Sequence, residues 1–292
     1  MSINENFNKP IHEIIQSRIS IRNYKSWDIP ADTIEKINNF SESITGLFDY
    51  QIRVKIVHVP TLQKDVELKL GTYGVIQGTN YFIAAAHDKG KLNLVNAGYV
   101  LELIVLYATS LGLGTCWLAG TFNRSAFSQA MQLKPGEVLP VIIALGYPQV
   151  QKLHLIDSVF RTFAKSRTRK SWDQIFFDEN FQTPLSLSGA GRYADAFEML
   201  RWAPSASNKQ PWRILKKGNE FHFYIFRPLP KNNKIPFSNL PFVDLGIGMG
   251  HFELSANKLG MSGGWQIKKP EVENLPDQLT YVISWSPEID KP

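Results

Sequence analysis

The pattern of hydrophobic and polar positions along the chain predicts both helices and strands. Residues 30–40 place Ile34, Ile37 and Phe40 at helical spacing, which predicts an amphipathic helix. Residues 51–60 alternate polar and apolar side chains, as a half-buried strand does. Near the start, residues 10–24 look like a short helix that passes into an extended segment.

Three longer apolar runs predict buried elements. Residues 80–86 and 138–145 are continuous apolar runs of strand length, and residues 93–111 form a long apolar helix that ends at Gly112 and Gly114. Residues 115–119 predict a further short strand, and residues 123–132 predict a helix with Asn123 as its N-cap candidate, so helices and strands are mixed along this part of the chain.

A second set of similar elements follows a polar stretch. Residues 149–190 contain a basic cluster and a Ser-rich tail, which makes them the best candidate for a linker. Beyond it, residues 192–202 predict a helix, 211–226 two strands around a turn, 244–260 a second long helix and 278–286 a strand.

The two long helices are related as an internal repeat. Residues 96–117 align with residues 244–265 at an offset of 148 without a gap, and six of 22 positions are identical. Asn96 and Asp244 then match as predicted helix N-caps. Two unrelated buried helices ending in Leu-Gly would also look alike, but the agreement in phase favours a duplication. A duplicated fold of this size is often the covalent version of a symmetric homodimer. The identical pairs are Gly98/Gly246, Leu106/Leu254, Ala108/Ala256, Leu111/Leu259, Gly112/Gly260 and Trp117/Trp265.

Composition limits the classes of protein and of site. The 292 residues are 43% hydrophobic, which excludes disorder as the main state. A net charge of +6 is mild: it suits a phosphorylated ligand and argues against a nucleic-acid partner. A single cysteine, Cys116, excludes a disulfide framework, and six scattered histidines predict no metal site. Cys116 falls in a predicted buried strand, so we interpret it as structural.

The sequence predicts neither a targeting segment nor a membrane partner. The first ten residues are polar, and the most apolar stretch, 97–120, is interrupted by Glu102 and four glycines. A membrane span needs about 20 uninterrupted apolar residues, so a buried helix running into a turn and strand fits better. One unpaired cysteine suits a reducing compartment, and we expect a cytoplasmic protein.

Arg18, Ser20 and Arg22 form the first candidate binding motif. In an extended segment alternate side chains share a face, so these three side chains are expected to point the same way. Two guanidiniums flanking a hydroxyl can bind a phosphate and a polyol through charge-assisted hydrogen bonds. A solvated strand face is the alternative for this motif.

The segment Ala203–Trp212 is the second candidate. Two prolines fix its backbone and small polar residues lie between them, so it could present donors and acceptors to a flat heterocycle; a helix-terminating turn is the alternative. The polar residues of this segment are Ser205, Ser207, Asn208 and Gln210.

The third candidate is the basic run Lys165–Lys170, either a phosphate site or a solvated charge run.

Common nucleotide and nucleophile motifs are missing from the sequence. No Gly-x-Gly-x-x-Gly follows a strand, and there is no P-loop and no Gly-x-Ser-x-Gly. The Gly-rich run 246–250 lies inside the second apolar helix, where it predicts close helix packing.

These motifs together resemble the FMN-dependent nitroreductase family over almost the whole chain. The loop at 203–212 is the most specific of them. The resemblance implies an α+β fold of nitroreductase type, internally duplicated, with mixed or antiparallel central sheets flanked by helices. The motifs are residues 17–22, the loop 203–212, the segment 113–120 after the long helix, the turn 145–148, and the basic pieces 165–167 and 170–172.

The order of the motifs resembles single-chain nitroreductases with a fused architecture. In ordinary members one subunit carries every motif, whereas here the Arg-x-Ser-x-Arg segment and the Pro-Ser loop lie in different copies. Aligning residues 40–46 with 202–208 leaves Pro204 and Asn208 without counterparts in the first copy. The resemblance therefore implies a pseudo-dimer within one chain: residues 1–180 supply the phosphate half-site and residues 181–292 the loop half-site.

The resemblance also implies the ligand and the residues that bind it. One FMN per chain is expected, with NAD(P)H as electron donor and a small-molecule acceptor, and no side chain is assigned as a general base. Backbone near Ala119 and Gly120 would reach the flavin N5 and O4 edge. The remaining cofactor-binding residues are Arg18, Ser20, Arg22, Arg167 and Arg169 on phosphate and ribityl, and Pro204, Ser205, Ser207 and Asn208 from the loop.

The function implied by this resemblance is an NAD(P)H oxidoreductase acting by a ping-pong cycle on a nitroaromatic or quinone-like acceptor. The cofactor carries the chemistry and the protein supplies orientation and electrostatics. An FMN-binding protein for storage or sensing, without turnover, is the alternative. A monomer acting as an internal pseudo-dimer is expected.

Overall fold

The first half of the chain folds into helices around one sheet. The computed structural model describes residues 3–59, 71–149, 168–227 and 239–288. The helices of this half are α1 (Ile11–Ser17), α2 (Ala31–Ser43), α3 (Lys91–Ser110) and α4 (Arg124–Ala130). Its strands are β1 (Ile52–His58), β2 (Tyr81–Asp88), β3 (Gly114–Leu118), β4 (Glu137–Val138) and β5 (Ile142–Gly146).

The second half repeats this plan around another sheet. Its helices are α5 (Leu187–Ala190), α6 (Ala194–Trp202) and α7 (Leu240–Lys258). Its strands are β6 (Phe176–Asp178), β7 (Trp212–Lys217), β8 (Glu220–Phe226), β9 (Gly263–Gln266) and β10 (Leu279–Pro287). Short 3-10 turns lie at Ile3–Asn6, Trp172–Gln174, Gly191–Tyr193 and Ala206–Asn208.

The two sheets have related strand orders. In the first, β1, β2, β5 and β3 are neighbours in that order and all antiparallel, with β4 also pairing β2. In the second, the order is β6, β7, β8, β10 and β9, antiparallel except for β6 on β7. The prediction of an α+β fold with mixed or antiparallel sheets is confirmed.

The position of β6 bears on the predicted linker and domains. β6 precedes residue 181, yet it pairs with β7 in the second sheet. The predicted linker, 149–190, therefore contains ordered structure in its later part, while residues 150–167 lie outside the described residues. The division into 1–180 and 181–292 stays a prediction.

The centre of the molecule is the packing of α3 against α7. A Cβ atom added to Gly98 would overlap the carbonyl oxygen of Val243, and one added to Gly246 would overlap that of Val95. These contacts are reciprocal, because 98 and 246, like 95 and 243, differ by the repeat offset of 148. Such an exchange of equivalent contacts is what a two-fold interface produces. The predicted close helix packing at Gly246 and the internal duplication are thus present in the fold.

Burial explains why α3 is so apolar. The helix is long and apolar enough to cross a membrane, but 78% of its apolar window is buried inside the fold. It packs against α7 of the second half and against helices and strands of the first half. A core helix needs this composition as much as a membrane span does.

Several predicted boundaries differ from the observed ones. α3 begins at Lys91 and α7 at Leu240, so Asn96 and Asp244 lie inside the helices and are not N-caps. The predicted strand 138–145 is interrupted around Pro140, which cannot donate a ladder hydrogen bond. By contrast, the predicted N-cap Asn123 is confirmed, since its side chain accepts a hydrogen bond from the Ala126 amide.

Replacing Gly246 by alanine should destabilise the fold. The added methyl group must displace backbone of α3, and overpacking of this kind costs about 1–3 kcal/mol. Gly250→Ala on the same helix is the matched control, because its nearest neighbour would be the Tyr99 carbonyl oxygen at 3.7 Å. Chemical denaturation of both variants measures the difference. Equal stability of the two variants would contradict the proposed backbone contact.

Candidate functional site

Arg18 lies at the start of the extended segment that follows α1. Its side chain is buried, and its Nε and Nη1 atoms have no hydrogen-bond partner. The segment is held against β3, where Ser20 forms a bridge with Thr115 and the Ile21 amide donates to the Thr115 carbonyl at 2.9 Å. The Thr115 hydroxyl is also buried without a partner. Arg18 and Thr115, whose segments are held together here, therefore both carry buried donors without a partner.

A second guanidinium lies near Arg18. Burial, together with the charges of Arg18 and Arg201, lowers the pKa of Arg169 to about 10. Burial likewise lowers the pKa of Arg18, while the nearby Glu102 carboxylate opposes that effect. Two cations kept close together in a poorly solvated place favour an anionic ligand.

Residues 168–170 join this cationic region to the loop after α6. Arg169 Nη2 donates to the Trp202 carbonyl at 2.9 Å, and its guanidinium lies 5.5 Å from the centroid of the Trp202 ring. The Asn208 side chain donates to the Thr168 carbonyl at 2.9 Å, and the Lys170 amide donates to Gln210 Oε1 at 2.8 Å. Arg167, predicted with Arg169, lies outside the described residues.

The loop from Ala203 to Gln210 has an unusual backbone. Ser207, Asn208 and Gln210 have φ values of +51°, +53° and +47°, a region that side chains other than glycine rarely adopt. The backbone N–H of Gln210 donates to Ser205 Oγ at 2.8 Å, and this hydrogen bond closes the loop. Pro204 is half-buried at its start. Strain of this kind persists where the surrounding structure enforces it, and it is concentrated at functional sites.

Asp244 of α7 holds this loop from beneath. Its Oδ1 accepts a hydrogen bond from the Ala206 amide at 2.9 Å, and burial raises the pKa of its carboxyl to about 7. The repeat equivalent Asn96 does the same in the first half, where its Oδ1 accepts from the Leu47 amide at 2.6 Å. The matched residues thus share a role, although it is not the predicted capping of a helix.

This pair of contacts also corrects the alignment of the two loops. Helices α2 and α6 end at Ser43 and Trp202, so these two positions correspond in the fold. The sequence alignment placed Phe40 opposite Trp202, three residues away. A shift of three residues is close to one helical turn, so it preserves the hydrophobic face and cannot be detected from the pattern alone.

Ala119 and Gly120 follow the far end of β3. Ala119 is half-buried and its carbonyl accepts from Arg124 Nη2 at 2.8 Å, while Gly120 is exposed. At strand spacing, Ala119 lies about 13 Å from Thr115. The role of Ala119 and Gly120 toward a ligand stays a prediction.

The structure therefore brings together only part of the predicted set. Arg18, Arg169 and the loop with Ser205, Ser207 and Asn208 form one region through the contacts above. Arg22 lies further along the segment, where its carbonyl accepts from the Gln77 amide at 2.9 Å. The roles of all these residues toward a ligand stay predictions.

Sequence reasoning missed two central residues, Glu102 and His251. Both are fully buried, and Glu102 lies 3.9 Å from Arg18 Nε. The available signal was chemical: a carboxylate inside an otherwise apolar helix rarely becomes fully buried without a partner. Sequence spacing could not reveal that the partner comes from the other half.

The donor set fits the phosphate end of FMN. Arg18 offers two buried nitrogen donors without a partner, and Arg169 adds a second positive charge. Phosphate accepts several charge-assisted hydrogen bonds, so it would satisfy these donors. Among the described residues, no group of histidine, cysteine, aspartate or glutamate side chains could hold a metal ion.

The fold is that of nitroreductases. A putative nitroreductase from Thermotoga maritima superposes with a TM-score of 0.59 at 22% identity, covering 95% of this chain and 93% of that chain. The family model described as Putative TM nitroreductase matches residues 10–256. The chain belongs to this nitroreductase family.

Two other solved structures match about half of the chain. A putative nitroreductase in complex with FMN from Desulfovibrio desulfuricans shares 22% identity, covering 48% of this chain and 87% of that chain, with a TM-score of 0.41. An FMN-dependent nitroreductase from Clostridium difficile shares 20% identity, covering 50% and 92%, with a TM-score of 0.38. A search of curated proteins gives no significant match.

Replacing the Asp244 carboxyl by an amide, or the Asn96 amide by a carboxyl, should change how the free energy of unfolding depends on pH. The folded pKa of Asp244, about 7, lies above its ordinary value of 3.8, so the folded state binds the proton more tightly. The free energy of unfolding should then fall as pH rises from about 4 to 7, and stay level above. Asp244→Asn keeps the acceptor for Ala206 without the charge, and should be more stable than the natural protein at pH 8, on the order of 2–4 kcal/mol.

The matched control, Asn96→Asp, introduces a carboxyl beneath the corresponding loop of the first half. Asn96→Asp should lower stability at pH 8 and have little effect near pH 4. Denaturation of both variants at the two pH values measures this. If Asp244→Asn gave the same stability increment at pH 4 as at pH 8, the buried carboxyl would not be the cause.

Proposed function

We propose that this protein is an FMN-dependent oxidoreductase that takes a hydride from NAD(P)H and passes electrons to a nitroaromatic or quinone-like acceptor. The observation that carries the proposal is Arg18: a nine-tenths buried guanidinium with two unpartnered nitrogens, close to Arg169 and to the loop of the other half. Membership of a nitroreductase family supports the reaction class.

The residues divide the binding task between the two halves. The predicted first half, residues 1–180, would bind phosphate and ribityl oxygens through Arg18, Ser20, Arg22, Arg167 and Arg169. Pro204, Ser205, Ser207 and Asn208 would come from the second half and border the ring. Because each half supplies a different part, one FMN per chain is expected and a monomer would suffice.

When bound, FMN supplies the hydride chemistry at its N5 atom. The chain would contribute position and charge. Backbone donors near Ala119 and Gly120 would orient the N5 and O4 edge, and the guanidiniums would balance the phosphate. Stacking space beside the ring would admit a flat acceptor, and no side chain is needed as a general base.

Arg18→Ala should weaken FMN binding. Loss of a charged hydrogen-bond donor costs about 1.5–3 kcal/mol, so the dissociation constant should rise by about 10- to 100-fold. A fluorescence titration of the apoprotein with FMN measures both this change and the stoichiometry, which should be near one per chain. Arg192→Ala, which removes an exposed arginine, is the charge-matched control.

Two outcomes of that titration would count against the proposal. Unchanged affinity in Arg18→Ala would remove this residue from the phosphate site. A stoichiometry near two would contradict the division of one site between the halves.

The FMN-loaded protein should oxidise NADH or NADPH through repeated turnovers only when a nitroaromatic or quinone acceptor is present or oxygen replaces it; without an acceptor it should oxidise one equivalent per bound FMN. Stopped-flow measurement of flavin reduction separates the two half-reactions of a ping-pong cycle. Bound FMN that neither cofactor reduces would refute the oxidoreductase proposal and favour storage or sensing of FMN.

A further inference from the structure

A buried polar cluster connects Arg18 to the second half of the chain. Its centre is Glu102 of α3, whose two carboxylate oxygens have different partners. Oε2 accepts from Trp117 Nε1 at 2.9 Å, and Oε1 lies 2.9 Å from His251 Nε2 on α7. Oε1 is also 3.9 Å from Arg18 Nε, close enough for an ion pair but too far for a hydrogen bond.

The hydrogen bonds of His251 determine how many protons this cluster holds. Its Nδ1 lies 3.0 Å from the Met199 carbonyl, which can only accept, so Nδ1 carries a hydrogen. The contact between Nε2 and Glu102 Oε1 requires one more hydrogen, held by either atom. Imidazolium with carboxylate and neutral imidazole with carboxylic acid have the same total charge. The pair of His251 and Glu102 is therefore neutral.

This neutrality leaves the charge of Arg18 uncompensated. Arg18, Glu102 and His251 together have a net charge of +1, although a carboxylate stands beside the arginine. Without the imidazole proton, Glu102 would neutralise Arg18, and its freed Oε1 could take the Arg18 N–H groups for itself. An anion approaching Arg18 would then find neither net charge nor free donors.

We propose that His251 is a positioning residue for the phosphate site: by binding Glu102 across the interface of the two halves, it keeps Arg18 positively charged and free to bind phosphate. This inference rests on the proposed function, because it takes Arg18 as the phosphate ligand. It adds a residue of the second half to a half-site assigned wholly to the first.

The second half contains a natural comparison for this cluster. Glu253 of α7 accepts from Trp265 Nε1 at 2.6 Å, as Glu102 accepts from Trp117, and Trp117 and Trp265 are repeat equivalents. The group from the facing helix is the Tyr99 hydroxyl, which hydrogen-bonds Glu253 where His251 binds Glu102. Among the described residues, no ion pair involves Glu253. The carboxylate is reached from a different position in each half, and the facing helix supplies a histidine where an arginine lies beside the carboxylate and a tyrosine where none does.

Comparing FMN with riboflavin isolates the phosphate contribution. The two ligands differ only in the phosphate, so the ratio of their dissociation constants reports on Arg18 and cancels effects on the ring. We define this ratio as the phosphate preference and would measure it by fluorescence titration of each apoprotein.

His251→Leu introduces the residue found at the repeat position, Leu103, and removes the proton that neutralises Glu102. The phosphate preference should fall about ten-fold or more, since a unit charge is lost from a poorly solvated site. His251→Gln, which can still donate to Glu102 but carries no charge, should lower it as well. This second variant keeps the test decisive if leucine prevents folding.

Removing Glu102 should reverse the effect. In Glu102→Gln with His251→Leu, Arg18 again has no anionic neighbour, and the phosphate preference should return to within about three-fold of the natural value. Recovery on loss of a second buried group is not expected from a purely structural role. Tyr99→Phe, which removes a comparable hydrogen bond at Glu253, should leave the preference unchanged.

The outcomes separate this inference from the proposed function. If the natural protein binds FMN no more tightly than riboflavin, the phosphate site itself is refuted. If it prefers FMN, but both His251 variants keep that preference, only the role of His251 is refuted. A double variant as weak as His251→Leu would also overturn it, because the charge of Glu102 would then not be responsible.

Discussion

The contact on which this structure depends is the close approach of α3 and α7 at Gly98 and Gly246. Side chains larger than hydrogen would overlap the facing backbone at both points, so the helices can touch only because glycine occupies both. The contact joins the cores of the two halves into one continuous apolar cluster. It also sets the distance between residues that are far apart in sequence. Glu102 and His251, 149 positions apart, reach hydrogen-bonding distance because their helices are held this closely.

The same interface explains why charged groups are tolerated in the core. Burying an ion costs free energy unless partners satisfy it, and Glu102 meets that condition with a tryptophan, a histidine and a nearby arginine. Arg18 does not, since two of its nitrogens have no hydrogen-bond partner. This arrangement satisfies the carboxylate but leaves two guanidinium nitrogens without hydrogen-bond partners, so it does not favour the stability of the fold by itself. It is well suited to an anionic ligand.

Duplication provides an internal comparison at each level of the fold. Asn96 and Asp244 hold corresponding loops through the same kind of hydrogen bond. Only the loop above Asp244 has three non-glycine residues with positive φ within four positions, Ser207, Asn208 and Gln210. Trp117 and Trp265 each donate to a buried carboxylate on the long helix of their own half, but only the first carboxylate lies beside an arginine. The scaffold has been kept in both halves while polar groups have diverged. In this sense the two halves are complementary.

The sequence by itself determined the long helices, most of the strands, the duplication and the family, because these depend on local periodicity and on motifs that are contiguous in the chain. Asn123 as an N-cap and Gly246 as a packing residue were predicted from their immediate neighbours. The tertiary structure alone decided that β6 joins the second sheet, that Asp244 supports a loop, and that Glu102 and His251 meet. Each of these depends on a contact between segments distant in sequence. A hydrophobic pattern specifies which face of a helix is buried, but not which residue of another helix that face will meet.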